Sequence, residues 1–174
     1  TYSSSDLSVV NFGTEDGKIY GSKAGNAVVT IKNNSFSIPL AITVDLFTAS
    51  ALSAISIPDS ANDVDVAGDY AYIASGNAGL QIVNVSNRKL PKIVGSLDTN
   101  GYSYDVIVRG NLVYLADGEA GLKIIDVSDP LNPKLLSSLN ASGTTQDIQL
   151  NDDFAFLANG SAGIEVIDIS KSTE

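Results

Sequence analysis

The 174-residue sequence contains no cysteine, histidine, methionine or tryptophan. Without cysteine, disulfide bonds, thiol catalysis and zinc–thiolate centres are excluded. Without histidine, the commonest general base and the commonest transition-metal ligand are absent. The absence of these two residue types favours binding over catalysis.

Basic residues are also scarce, since 10 Lys and Arg stand against 20 Asp and Glu and the formal net charge is −10. Proteins bind nucleic acid through a basic surface, so we expect no nucleic-acid partner. No apolar run approaches the roughly 18 residues of a membrane-spanning helix, so we expect no membrane insertion in this segment. The acidity favours solubility, and the alternative is a specific cation-binding role.

A spacing of 42 residues recurs along the C-terminal two-thirds of the chain. Two motifs each occur three times at this spacing without insertion: Asp63–Val66, Asp105–Val108 and Asp147–Leu150, then Ala78–Leu80, Ala120–Leu122 and Ala162–Ile164. The repeats begin near residues 61, 103 and 145. A repeat of about 40 to 50 residues with four short apolar runs is typical of one blade of a β-propeller.

The second repeat illustrates how one unit is built. Its apolar runs, separated by Gly, Asn, Asp and Pro, cover residues 105–108, 112–116, 121–127 and 134–139. Short runs joined by such turns predict an antiparallel meander of four strands, in which Asp126 caps the turn at Ser128. The middle runs are apolar on both faces, as expected when each sheet packs between two neighbours. We therefore predict an all-β fold with about three four-stranded blades.

The sequence motifs of these repeats resemble those of a known family. Residues 63–86 and 105–128 share Asp-Val-x-Val-x-Gly, Tyr-Ile/Leu-Ala, Gly-x-Ala-Gly-Leu and Val-Ser in the same order. This pattern is similar to the LVIVD repeats of bacterial and archaeal surface proteins. The resemblance runs from about Leu52 to Lys171 and implies a β-propeller. Phe156 in the third repeat replaces the tyrosine of the other two, which is a mild departure.

The N-terminal part follows a different pattern. Tyr2–Asp6 and Asp16–Gly21 resemble the second half of a bacterial immunoglobulin-like domain, group 2, with Phe36–Phe47 as its closing strand region. We therefore predict an immunoglobulin-like segment at 1–47 and propeller blades at 48–174. Because half a sandwich cannot bury its inner face, another segment completes it or its strands dock elsewhere.

The ends of the repeat region are incomplete. Leu52–Ile57 aligns with the fourth strand of a preceding blade, and the third repeat stops after its third strand at Ile169. A propeller ring needs about four to eight blades, whereas the chain carries three blades cut out of phase. Two explanations stay open. The chain is an excerpt of a longer surface protein, or two copies close a six-bladed ring in which Leu52–Ile57 of one completes the last blade of the other.

Asp63, Asp105 and Asp147 recur at the head of the first strand of each repeat. One interpretation is a carboxylate ring around the central channel that holds a hard cation such as Ca²⁺. The other is that each Asp accepts turn N–H groups and fixes the entry of its strand. We expect no cofactor, and Ca²⁺ at this ring is the one candidate.

The turn after the second strand of each repeat keeps its Gly and Ala while its other side chains vary. Variable side chains on a fixed turn suit a binding face, so Asn77, Asp117, Glu119 and Asn159 are predicted to contact a partner. The alternative is that loop tips vary without any functional reason.

We expect a non-catalytic extracellular or cell-surface scaffold or adhesion module whose propeller loops bind a surface protein or a glycan. The resemblance to surface proteins and the absence of histidine and cysteine favour this function. One alternative is a carbohydrate-active hydrolase or lyase that uses channel carboxylates, for which Asp63 and Asp105 would need a separation of about 5–9 Å. Another alternative is a purely structural unit of an assembly.

Overall fold

The structure is a computed structural model that describes residues 2–12, 19–21, 23–33, 36–45 and 49–170. The chain divides into two compact units, residues 1–50 and residues 51–174, close to the predicted boundary between 47 and 48. Both units are built from β-strands, which confirms the all-β prediction. Among the described residues, no helix has the length and apolar character needed to span a membrane.

Unit 1 contains five described strands: β1 (Tyr2–Ser4), β2 (Val10–Phe12), β3 (Ile19–Gly21), β4 (Gly25–Asn33) and β5 (Phe36–Val44). β4 and β5 form a long antiparallel hairpin, β1 pairs with the other edge of β4, and β2 pairs with β3. Val9, Val10, Ala27 and Val29 form a small core, against which Ile42 packs.

The β4–β5 hairpin is only partly covered. Leu40 lies opposite the buried Val29, so it shares the inner face of the hairpin. Phe36, Ile38 and Leu40 nevertheless remain 52, 51 and 49 % exposed, as expected for half a sandwich. The immunoglobulin-like interpretation stays a prediction, and the parts of its motif at 13–18 and 46–48 lie outside the described residues.

Unit 2 consists of three antiparallel meanders, two with four strands and one with three. Blade 1 has β6 (Asp63–Ala67), β7 (Tyr70–Ala74), β8 (Leu80–Asn84) and β9 (Lys92–Leu97); blade 2 has β10 (Asp105–Arg109), β11 (Leu112–Ala116), β12 (Leu122–Asp126) and β13 (Lys134–Leu139); blade 3 has β14 (Asp147–Asn151), β15 (Phe154–Ala158) and β16 (Ile164–Asp168). Within each blade the strand order follows the chain. This is the partial β-propeller predicted from the 42-residue spacing.

Adjacent blades pack face to face. We call the face of a blade that points toward the next blade in the chain its trailing face, and the opposite face its leading face. One apolar cluster joins the trailing face of blade 1 to the leading face of blade 2. It contains Tyr72, Ala74, Leu80 and Ile82 of blade 1 and Val106, Val113, Leu115 and Ile125 of blade 2. The next cluster repeats it with Tyr114, Ala116, Leu122 and Ile124 of blade 2 against Ile148, Ala155 and Leu157 of blade 3. Blade 2 is therefore buried on both faces, as predicted for a blade between two neighbours.

The trailing face of blade 3 is open, and the leading face of blade 1 is open at its first strand. Val64 and Val66 on the leading face of blade 1 are 56 and 58 % exposed. Ile164 and Val166 on the trailing face of blade 3 are 77 and 54 % exposed. Within the described chain, no further blade packs against either face.

The prediction that Leu52–Ile57 forms a strand is wrong. A strand requires a neighbour that pairs with its backbone N–H and C=O groups, and no described strand pairs with this segment. Its last residue, Ile57, packs instead against Ala71, Ile73 and Val83 on the leading face of blade 1. The segment therefore lies beside blade 1 with its backbone unpaired.

Candidate functional site

The repeated aspartates join one blade to the next. Asp63 accepts a hydrogen bond from the N–H of Val106 (3.1 Å), and Asp105 accepts one from the N–H of Ile148 (2.6 Å). Each carboxylate thus bonds the first strand of the following blade, where the sequence had suggested a bond to its own turn. The reason is that the first strands of adjacent blades lie side by side. Asp147, at the equivalent position of blade 3, is exposed.

Asp105 is held in an environment that disfavours its charge. Burial, then a hydrogen bond with the Asp63 carboxyl and the charges of Asp63 and Asp147, raises the pKa of Asp105 to about 7. A protonated carboxyl is a poor ligand for a hard cation. In the described part of the chain, no group of three acidic side chains is arranged to hold a metal ion. The calcium ring stays a prediction that this geometry does not favour.

Two of the four predicted loop contacts are buried. Asp117 is 0 % exposed and accepts hydrogen bonds from the hydroxyls of Thr99 (2.7 Å) and Ser103 (2.8 Å). Asn159 is 1 % exposed, and its Oδ1 accepts a hydrogen bond from the hydroxyl of Thr145 (2.8 Å). These side chains fasten the turn to the segment that leads into the first strand of the same blade. This corrects their assignment as partner contacts, because the turn that keeps its length in every repeat is itself packed.

The other two predicted contacts, Asn77 and Glu119, are exposed and lie at a cleft on the loop end of the blades. The cleft has a volume of about 550 Å³. Its lining combines aromatic rings with amides and a hydroxyl: Asn100, Tyr102, Tyr104, Thr144 and Gln146. The structure thus brings Asn77 and Glu119 together with residues that the sequence analysis did not single out.

Tyr102 and Tyr104 form the aromatic part of the cleft. Their ring centroids are 4.8 Å apart and their planes are tilted by 51°, an arrangement that aromatic pairs favour. The segment that carries them is fixed, because Gly101 donates its N–H to the buried carboxylate of Asp117 (3.1 Å) and Ser103 bonds the same carboxylate. The rings are therefore positioned before a ligand arrives.

A signal for the tyrosine pair exists in the sequence. Tyr102 and Tyr104 stand where the first repeat has serine and asparagine and the third has threonine and glutamine. A comparison of the residues that the repeats share does not identify such positions, because a site that occurs in one blade alone differs from the repeat pattern. The signal was that tyrosine occupies both positions in the second repeat and in neither of the others.

The lining of the cleft limits the chemistry of a ligand. Glu119 is its one charged residue among the described side chains that form it, and none of them is basic. Together with the net charge of −10, this disfavours an anionic ligand. Tyrosine rings with amide and hydroxyl groups around them provide rigid apolar contact area and adaptable hydrogen bonds. The cleft is suited to a neutral or basic ligand.

Comparison with known proteins agrees with this architecture. The LVIVD repeat matches the chain at residues 58–99, 100–141 and 142–174. No curated protein matches the sequence.

Among solved structures, the chain is similar to the computationally designed Ika8 protein, with a TM-score of 0.52 and 12 % sequence identity. The similarity covers 64 % of this chain and 34 % of that protein, so the chain spans about a third of its length. At this identity the likeness concerns the fold alone. The three repeat matches together cover more than half of the sequence, and the chain belongs to the LVIVD repeat family.

Proposed function

We propose that this chain is a non-catalytic module of the cell surface or the extracellular space that binds a glycan or protein partner through its loop-end cleft. The observation that carries the proposal is the tyrosine pair Tyr102 and Tyr104, held in the cleft by the buried Asp117. Binding sites on repeat scaffolds are commonly built from loops on a rigid frame. The cleft's lack of basic groups selects a neutral glycan or a neutral to basic protein segment.

The geometry of the channel carboxylates favours binding over glycoside hydrolysis. The Asp63 and Asp105 carboxyls are in hydrogen-bond contact. A glycosidase pair is separated by about 5–9 Å, because the substrate and often a water lie between the two groups. These two carboxyls are therefore too close to serve as an acid and a nucleophile or base, and their bonds to the next blade give them a structural role.

The proposed location rests on sequence. A cysteine-free, acidic chain suits the outside of a cell, and the resemblance of its repeats to those of surface proteins implies the same location. In this proposal, unit 1 is an immunoglobulin-like spacer that holds the blades away from the surface. A surface location is tested by asking whether protease added to intact cells of the source organism cleaves the protein.

The binding function is tested with a panel of immobilised neutral and charged glycans and peptides, probed with the labelled 174-residue chain. We expect binding to one neutral or basic class and a loss of about tenfold or more when Tyr102 and Tyr104 are both changed to Ala. Leu131→Ala is the control, since Leu131 is exposed in blade 2 and lies outside the cleft. Binding that survives the double substitution, or binding to anionic glycans alone, would contradict the proposal.

A further inference from the structure

The geometry points to the free edge of β16 as the docking site for residues 51–55 of a second copy of this chain, which would lie where the fourth strand lies in blades 1 and 2. This inference concerns the outer edge of the propeller and does not depend on the loop-end cleft. Five features of the two complete blades and the open blade lead to it.

The first feature is the strand pairing. In blades 1 and 2 the fourth strand pairs with the third, with Leu80 opposite Leu97 and Leu122 opposite Leu139. In blade 3, no described strand pairs with the outer edge of β16. Ile164 lies two repeats after Leu80 and Ile55 lies one repeat before Leu97, so the blade 1 register carried over to blade 3 places Ile55 opposite Ile164. The expected partner of β16 is thus present in the sequence, at the opposite end of the repeat region.

The second feature is the composition of the segment. Residues 51–55 read Ala-Leu-Ser-Ala-Ile, while residues 93–97 of β9 read Ile-Val-Gly-Ser-Leu and 135–139 of β13 read Leu-Leu-Ser-Ser-Leu. All three have apolar ends and two small residues between them. In its own chain no described strand pairs with the segment, whose Ser53 hydroxyl donates to the carbonyl of Arg88 (2.6 Å), and Leu52 and Ile55 are 59 and 39 % exposed.

The third feature is a groove beside β16. It has a volume of about 1040 Å³ and lies between β13 and β16, where Leu136, Leu139, Ile167 and Ile169 line it. All six residues of β13 are exposed, whereas Gly95 in the equivalent β9 is buried and Val94 is partly buried. In blade 1 the backbone at Pro130 of the following blade closes over Gly95. The groove is therefore the space that the outer part of a complete blade 3 would fill.

The fourth feature is the open space beside Gly163, where the equivalent glycines of blades 1 and 2 contact the carbonyl of the fourth strand. A Cβ on Gly79 would lie 2.3 Å from the carbonyl oxygen of Leu97, and a Cβ on Gly121 would lie 2.1 Å from that of Leu139. At Gly163, the third position of this series, a Cβ would meet nothing within 4 Å. The residue that corresponds to Leu97 and Leu139 one repeat earlier is Ile55. A docked strand would place the carbonyl of Ile55 over Gly163.

The fifth feature is the complementarity of the two open faces. The trailing face of blade 3 exposes Ile164 and Val166, and the first strand of blade 1 exposes Val64 and Val66 on its leading face, beside the part that Ile57 of the same chain covers. Inside the chain, faces of these two types already pack on each other twice. Asp147 is equivalent to Asp63 and Asp105, so its carboxylate would accept the N–H of Val64 from the second copy. The contact is head-to-tail, and two copies give six blades, a number that closes a ring.

Light scattering of the 174-residue chain at high micromolar concentration tests the docking. We expect a mass of twice 18.1 kDa, which falls to the single-chain mass on dilution. Gly163→Ala should abolish the dimer, because its Cβ would collide with the incoming carbonyl of Ile55. Gly68→Ala is the matched control, since Gly68 has a positive φ of +58° and open space around it. A wild-type chain that stays single, or a Gly163→Ala variant that dimerises like Gly68→Ala, would overturn the inference.

Disulfide trapping tests the register and identifies the occupant. The chain has no cysteine, so Ile55→Cys and Ile164→Cys in two separate preparations introduce one thiol each. Directly opposed residues of antiparallel strands have Cα atoms about 4.5–5.5 Å apart, which fits a disulfide. Mixing the two under mild oxidation should give mainly the heterodimer, several-fold above a mixture of Ile55→Cys with Leu131→Cys. Equal yields in the two mixtures would show that another occupant, such as a further blade of a longer chain, belongs at this edge.

Discussion

Blades 2 and 3 are built from the same repeat, yet the same positions lie in opposite environments. Leu122 on the trailing face of blade 2 is 1 % exposed, whereas Ile164, one repeat later, is 77 % exposed. The first three strands of the two blades pair in the same way, so the difference comes from what lies against each blade and from the fourth strand, which is described in blade 2 alone. In a repeat protein, burial is set by the neighbouring unit, and a terminal unit presents to solvent the surface that an internal unit uses as core.

The largest expected difference between the blades concerns the turn glycine. Gly121→Ala places a Cβ 2.1 Å from the carbonyl oxygen of Leu139 at a φ of +75°, and we expect a loss of about 4 kcal/mol in the free energy of unfolding. Gly163→Ala has a φ of +84° but open space, so the cost in dilute solution should be about 1–2 kcal/mol. Urea denaturation of both variants measures the difference, and equal losses would contradict a missing fourth strand.

The second difference concerns the apolar face. Leu122→Ala removes a buried side chain from the cluster between blades 2 and 3, with an expected loss of about 3 kcal/mol. Ile164→Ala removes an exposed side chain and should change the free energy of unfolding by less than about 0.5 kcal/mol in dilute solution. At high protein concentration, docking of a second copy would bury Ile164. The loss caused by Ile164→Ala should then rise toward the loss caused by Leu122→Ala.

The propeller fold could be predicted because the sequence pattern of the first three strands of a blade occurs three times in the chain. The predicted strands at 112–116 and 134–139 agree with β11 and β13, and Asp126 accepts the N–H of Ser128 (2.8 Å) as predicted for a turn cap. Periodicity determines which residues face a neighbour. It does not tell whether the neighbour is present, and this is why 52–57 was wrongly predicted as a strand.

The candidate site was harder to predict from sequence. Asn77 and Glu119 were found from the variable turns, but Asp117 looked like a contact residue because a charged side chain in a turn is usually solvated. Its burial depends on the hydroxyls of Thr99 and Ser103, which lie before the first strand of the same blade, two strands earlier in the chain. The tyrosine pair required a search for what one repeat does not share with the others.

The third prediction compares the closed and open ends of the aspartate series. The pKa of Asp105 is raised from 3.8 to about 7, so the folded chain binds an extra proton between these values. The contribution of Asp105 to the free energy of unfolding is fully present below about pH 4, and it is lost as the pH rises through about 7. Asp105→Asn should therefore gain on the order of 1 kcal/mol over the wild type at pH 8 and flatten the pH dependence of the melting temperature. Asp147→Asn, at the exposed position, is the comparison and should change the curve much less than Asp105→Asn, because the charge of Asp147 is the smallest of the causes that raise the pKa of Asp105.

The smallest expected effect on stability belongs to the cleft. Tyr102→Ala should lower the free energy of unfolding by less than about 1 kcal/mol, because the ring is partly exposed and the first and third repeats fold with small polar residues there. Its effect should appear in partner binding instead. A loss of stability as large as that of Leu122→Ala would assign the tyrosine a structural role.

Hydrogen exchange at the outer edge of β16 tests most directly whether the third blade is an open copy of the second. In dilute solution, the amides of Ile164–Asp168 that point away from β15 should exchange rapidly, while the equivalent amides of β12, bonded to β13, should be protected. Raising the concentration should protect the β16 amides in the wild type and not in Gly163→Ala. Protection of β16 equal to that of β12 at every dilution would contradict the account.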